Sequence, residues 1–398
     1  MRGADLLAQT LAAAGVTRVF SLSGNQIMPI YDACLEVKIE IVHTRHEAAC
    51  VFMADAWAQL TGEVGICLVT AAPGASNALG PLYTARQSES PVLFLTGDSS
   101  LAQDGRGAFQ ELDQVAMTAP VTKLSLRATD PGMLGRDTAN AIQLAMSGRP
   151  GPVHVALPVD VLEADASGAD VPEPPVLRSQ DRGLTEGDAR LVIKALATAK
   201  APLILCGPAM SFSRCGNQLA ALAAAVDAPV VAMESPRGLK DPSLGDFAKA
   251  MAKADLVVSL GKPVNFSVGF GGAAVCLPIC RWIVIDAEAD ERKRAALNLG
   301  DRLDKVIDAD PKTAAAVLTK QGSRTVDREA WRREVAGCIA ARSYSVDGPG
   351  AGDRITPAQL CAAVQRQVAA AAESVVISDG GEFGQWSQAV TAGDHRII

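Results

Sequence analysis

Apolar residues recur along the first 160 positions in two alternating rhythms. Short, nearly continuous apolar runs at residues 17–21, 39–44, 64–70, 91–96 and 153–157 have the length of strands buried on both faces. Between them, apolar residues return every three or four positions. That spacing predicts helices at residues 4–14, which stop at Gly15, and at 47–59 and 132–146. Such alternation predicts a parallel sheet covered on both faces, with functional groups gathered where the strands end.

The rhythm breaks at residues 164–175, a small, polar, proline-rich stretch that reads as an extended connection. A first domain over residues 1–163 and a linker over 164–184 follow from this. The pattern resumes with a helix at 185–200 and strands at 202–206, 229–233, 256–260 and 282–285, a second α/β domain over residues 185–341. A glycine-rich loop at 342–355 closes it. Beyond, Thr356 caps a helix with Pro357 at its first position. A strand at 374–378, Asp379-Gly380-Gly381 and a helical pattern at 382–390 complete the chain. One strand and two helices cannot easily bury a core of their own, so residues 356–398 read as the truncated start of a third domain. The expected fold class is α/β: doubly wound parallel sheets, two complete domains and the start of a third.

Composition supports layers of helix and sheet: 48% of the 398 residues are hydrophobic and only 4% aromatic. A net charge of −7, with no basic stripe, argues against a nucleic-acid partner. The amino terminus lacks the apolar core of a secretory signal, and the uncharged run at 64–85 is interrupted by Pro73-Gly74 and Gly80-Pro81, which argues against a membrane span. A cytoplasmic protein is expected. Nine scattered cysteines without a CxxC pair read as buried thiols, and Cys276 with Cys280 lacks the second pair of ligands that zinc needs.

Candidate chemistry centres on Arg45-His46-Glu47-Ala48-Ala49, where an apolar strand hands over to a helix. A carboxylate there would be partly desolvated and able to share a proton with a ligand nitrogen. From position alone, a charge meeting the helix dipole is the commoner case. His43 and His46 form an HxxH that straddles a strand end, unlike the single-helix HExxH of zinc sites, so no metal is assigned. Pro73-Gly74-Ala75-Ser76-Asn77 and Ser23-Gly24-Asn25-Gln26 are strand-to-helix turns whose N–H groups could face a polar ligand. Asp286, just past a strand, could accept from a nucleotide, though an exposed strand-end acid is the commoner case. Spacing assigns no role to Lys123 or Arg127.

Taken in order, residues 24–32, Arg45-His46-Glu47-Ala48-Ala49, Pro73-Gly74-Ala75-Ser76-Asn77, Gly107-Ala108-Phe109-Gln110-Glu111 and Ser147-Gly148-Arg149-Pro150-Gly151-Pro152-Val153 resemble the pyrimidine-binding domain of acetolactate synthase-like thiamine diphosphate enzymes. Residues 255–262 continue the likeness into a central nucleotide-fold domain. The resemblance implies that Glu47 hydrogen-bonds the aminopyrimidine ring and favours the imino form that removes the thiazolium C2 proton. Decarboxylation of a 2-keto acid and carboligation would follow. It further implies that Glu47 and Gln110 are catalytic, that Gly24, Pro73 and Asn77 line the pyrimidine pocket, that Phe109 approaches the substrate, and that Gly380 and Gly381 open the diphosphate-binding domain. It implies Mg²⁺ held by ligands outside this chain, FAD as an optional cofactor of the central domain, and a homodimer or larger homo-oligomer. Ala72 stands where the family usually has glycine, and Leu22-Ser23 replaces its usual Val-Pro. Ser378-Asp379-Gly380-Gly381 only mimics the family's Gly-Asp-Gly metal motif, and no Asn follows it. Two alternatives stay open: a 2-hydroxyacyl-CoA lyase or oxalyl-CoA decarboxylase-like enzyme, and a non-catalytic fragment or subunit completed by a separate diphosphate-binding chain.

Overall fold

The computed structural model describes residues 1–173, 179–322, 327–342 and 354–393, and the backbone of 395–397. The glycine-rich stretch at 343–353 and part of the proline-rich one, 174–178, lie outside the described residues. The chain forms two compact units, Met1–Gln180 and Asp181–Ile398.

The first unit is built on six parallel strands: β1 (Arg18–Ser21), β2 (Glu40–His43), β3 (Gly65–Val69), β4 (Val92–Asp98), β5 (Ser125–Arg127) and β6 (Val153–Pro158), in the order β2-β1-β3-β4-β6-β5. The helices that concern the site are α1 (Gly3–Ala13), α2 (Met28–Glu36), α3 (Glu47–Thr61), α4 (Pro73–Asn77), α5 (Leu79–Gln87), α6 (Gln114–Thr118) and α7 (Leu134–Met146). The central strands β3 and β4 are buried throughout, because their side chains alternate between two cores. Ile66, Leu68, Leu93 and Leu95 join Leu6, Leu7 and Leu11 of α1, Ile30 of α2 and Ile142 of α7 on one face. Cys67, Val69, Val92 and Phe94 join Cys50, Val51 and Ala54 of α3 and Leu82 of α5 on the other. The α/β class and the doubly wound parallel arrangement are as the apolar rhythm predicts.

Three details differ. β5 carries no apolar run, because an edge strand with three half-buried residues has little to hide. The helix expected from 132 begins at Leu134, after a separate turn at Pro131–Met133. Residues 164–166 do not start a free tether: Arg2 bridges Asp165, and Ala166 is buried in the first core.

The second unit has five parallel strands, β7 (Pro202–Cys206), β8 (Val230–Ala232), β9 (Leu256–Leu260), β10 (Arg281–Ile285) and β11 (Leu303–Ile307), ordered β11-β10-β9-β7-β8. Ile204 and Cys206 face one core and Leu203 and Leu205 the other, the same two-sided burial. β11 escapes the apolar pattern because Asp304 and Lys305 interrupt an exposed edge. Helix Pro357–Ala370 opens with a reciprocal cap between Thr356 and Gln359. It precedes β12 (Val375–Ile377), which pairs in parallel with β13 (His395–Ile397), a second strand where one was expected. Among the described residues no helix is long and apolar enough to cross a membrane, and the run at 64–85 is divided among β3, α4 and α5.

Candidate active site

In the first sheet the chain steps from β1 outward to β2, and from β3 the opposite way, so the loops leaving β1 and β3 part at the carboxyl edge. A doubly wound sheet opens its ligand crevice at such a switch point. Four loops meet this edge, and each carries a residue singled out by sequence.

β2 ends at His43, and His46 caps α3 by accepting the Ala48 N–H on Nδ1 at 3.1 Å. Glu47 is thereby the first residue of a 15-residue helix, half-buried, with its charge at the positive end of the helix. Asn77, the last residue of α4, donates from Nδ2 to Glu47 Oε2 at 3.0 Å. The fold brings together two expected site residues thirty positions apart. Pro73 opens α4 and is exposed beside them.

The turn holding Asn77 is strained. Ala72 has φ 43 and ψ −88, a region that favours glycine. Gln114 steadies it: Oε1 accepts the Ala72 N–H at 3.1 Å, while Nε2 donates to the Gly97 carbonyl at 3.0 Å. Gly24 meets the same turn from β1, and a Cβ there would lie 2.4 Å from the Thr70 Cβ. Thr70 in turn donates to Gln26 Oε1 at 2.6 Å, and Gln26 donates from Nε2 to Gln110 Oε1 at 2.9 Å.

Gln110 sits half-buried at φ 61, next to Phe109, which is 73% exposed. Their loop is gathered by Glu111, whose carboxylate accepts the N–H groups of Gly105, Gly107 and Ala108 at 2.6, 2.9 and 3.0 Å. Those donors hold the carboxyl below its ordinary range.

Sequence reasoning missed Thr70 and Gln114, and took Gln26 only as part of a strand-to-helix turn. The only local signal was their polarity beside strand ends, since their partners lie 44, 84 and 42 residues away. Lys123 and Arg127 now have roles. Lys123 donates to the Leu144, Ser147 and Arg149 carbonyls at the end of α7, and Arg127 pairs with buried Asp98 at 2.6 Å and with Asp104 at 2.7 Å. Asp286 is buried rather than exposed, and accepts the Glu288 N–H at 2.9 Å within its own turn. Gly380 and Gly381 belong to the second unit. Both are exposed, and Gly381, at φ 76, opens helix Gly381–Val390. Among the described residues no three His, Cys, Asp or Glu side chains are grouped to hold a metal. No disulfide joins the nine cysteines, and seven of them are buried.

Residues 1–117 match the family model described as thiamine pyrophosphate enzyme, N-terminal TPP binding domain. The matched segment contains Glu47, Asn77 and the loop of Gln110. Over 404 aligned residues the chain is 29% identical to the acetolactate synthase large subunit IlvG of Mycobacterium tuberculosis, covering 97% of this chain and 70% of that protein. By these matches the chain is similar to acetolactate synthase-like thiamine diphosphate enzymes. It is 35% identical over 281 residues to the catabolic acetolactate synthase of Raoultella terrigena, 66% of this chain and 49% of the relative. Over 160 residues it is 40% identical to 2-hydroxyacyl-CoA lyase 2 of Danio rerio, 40% of this chain and 26% of that protein. The matches span part of each relative's length.

Proposed function

We propose that the first unit carries the pyrimidine-holding half of a thiamine diphosphate site, and that the protein decarboxylates a 2-keto acid and joins the remaining fragment to a second acceptor. The observation that carries this reading is the Glu47–Asn77 pair at the switch point of the sheet. A carboxylate at a helix start, oriented by an amide and half shielded from water, suits the aminopyrimidine, whose ring nitrogen needs a proton-sharing acceptor. Gly24 and Pro73 would line the ring, with Gly24 packed too closely on Thr70 to carry a side chain. Gln110 and Phe109 would meet the substrate. When bound, thiamine diphosphate supplies the electron sink for losing carbon dioxide from a 2-keto acid. Glu47 holds the proton that sets the ring's tautomer, and Asn77 fixes the carboxylate's orientation. Gly380 and Gly381 would approach the diphosphate, and Mg²⁺ is assigned to no group among the described residues.

The same surface supports a homodimer. Phe52, Met53 and Leu60 of α3 and Tyr83 of α5 are exposed on the helices that flank Glu47, an apolar face suited to a second copy. Nine cysteines without a disulfide fit a reducing compartment such as the cytoplasm. The 40% identity to a 2-hydroxyacyl-CoA lyase favours a second reading, cleavage of an acyl-CoA adduct at the same site. Assays with pyruvate against 2-hydroxyacyl-CoA and oxalyl-CoA separate the two.

The central test is exchange of the cofactor's C2 proton with solvent deuterium, followed by NMR in the presence of the protein and Mg²⁺. Glu47→Gln should slow protein-dependent exchange by about 100-fold or more, the usual contribution of a positioned acid or base. An unchanged exchange rate would overturn the assignment of Glu47.

A further inference from the structure

We propose that Gln26 is a positioning residue that turns the Gln110 side chain so that its amide N–H groups face the substrate and hold the carboxylate of a 2-keto acid. The inference rests on the 2-keto acid reading above. Gln26 is 8% exposed, on the turn Asn25–Ile27 after β1, and the fold makes room for it: a Cβ on Gly97 of β4 would lie 2.7 Å from the Gln26 Cβ. A buried amide must use both of its ends. The Thr70 hydroxyl occupies Oε1 at 2.6 Å, which leaves Nε2 for Gln110. Gln110 must then accept on Oε1, so the half of its amide left over is the NH₂, two donors in one plane.

The backbone that carries Gln110 is tied down. Gln110 is held at φ 61, and Glu111 binds three neighbouring backbone N–H groups. A pair of N–H donors is complementary to a carboxylate, whereas the carbonyl end of the amide would repel it. The direction of the Gln26–Gln110 hydrogen bond thus decides the sign of the group presented at Gln110.

The test uses KM and kcat for pyruvate in the protein loaded with thiamine diphosphate and Mg²⁺, with cofactor affinity and the thermal melt as readouts independent of turnover. Gln26→Glu keeps the size but only accepts, so Gln110 must donate to it and show its oxygen to the substrate. KM should rise about 10- to 100-fold, the range for a hydrogen bond to a charged group, with kcat and cofactor affinity near wild type. The new charge could itself repel an anion, so the neutral pair at position 70 is decisive. Thr70→Val removes the hydroxyl that orients Gln26 and should raise KM severalfold, while Thr70→Ser restores it. That pair also carries the test should Gln26→Glu not fold. Wild-type KM in both Gln26→Glu and Thr70→Val would overturn the proposal and leave the function standing. A wild-type protein that binds the cofactor but turns over acyl-CoA substrates and no 2-keto acid would overturn the functional reading, and this proposal with it.

Discussion

Ala72 adopts φ 43 and ψ −88 immediately before Pro73, so replacing it with glycine removes a Cβ from a backbone that tolerates it poorly. A non-glycine residue held in so sparsely populated a region stores about 1–3 kcal/mol. Glycine gives back about 0.4–1 kcal/mol, because the unfolded chain gains freedom. Ala72→Gly should therefore stabilise the protein by roughly 0.5–2 kcal/mol, the difference of those two effects. For a unit spanning Met1–Gln180 that raises the melting temperature by about 2–4 °C per kcal/mol. Urea titration followed by circular dichroism, with an unchanged m-value, measures it. The stabilisation should persist in Gln114→Ala, which loses the hydrogen bond to the Ala72 N–H, because the strain lies in the backbone dihedrals. A variant less stable than wild type would refute the reasoning, since it would mean that the turn at Thr70 to Asn77 is not strained.

Two further outcomes are expected. Gly24→Ala places a methyl 2.4 Å from the Thr70 Cβ and should cost about 1–3 kcal/mol by overpacking; wild-type stability in chemical denaturation would show that the turn yields cheaply. His154, buried on β6 among the Thr96, Thr118 and Ser125 hydroxyls, has its pKa pushed down to about 3 by burial. The unfolded chain takes up this proton as pH falls through about 6.5, the native chain only near 3, so the neutral histidine's stabilisation is complete above 6.5 and is lost on acidification between those values. Between pH 7 and 5, wild type should lose about 2 kcal/mol more than His154→Gln, at about 1.4 kcal/mol per pH unit below 6.5. Equal losses in urea titrations of the two proteins would show that His154 is not held neutral.

Much of the architecture was legible because burial on both faces of a parallel sheet writes itself as continuous apolar runs, and β3, β4, β7 and β9 are buried throughout. The edge strands β5 and β11 were not, since a strand with one neighbour and an exposed face needs no apolar signature. Glu47 was readable for a local reason: a strand end, a capping His46 and a helix start fix its place within a few residues. Sequence thus determined the layers, the turns and the likeness to thiamine diphosphate enzymes. Tertiary structure alone decided that Asn77 reaches Glu47, that Gln114 steadies Ala72, and that Gln26 sits between Thr70 and Gln110. The physical reason is that periodicity and capping act over a few residues, whereas these hydrogen bonds join strand ends made neighbours by the order in which the sheet is wound.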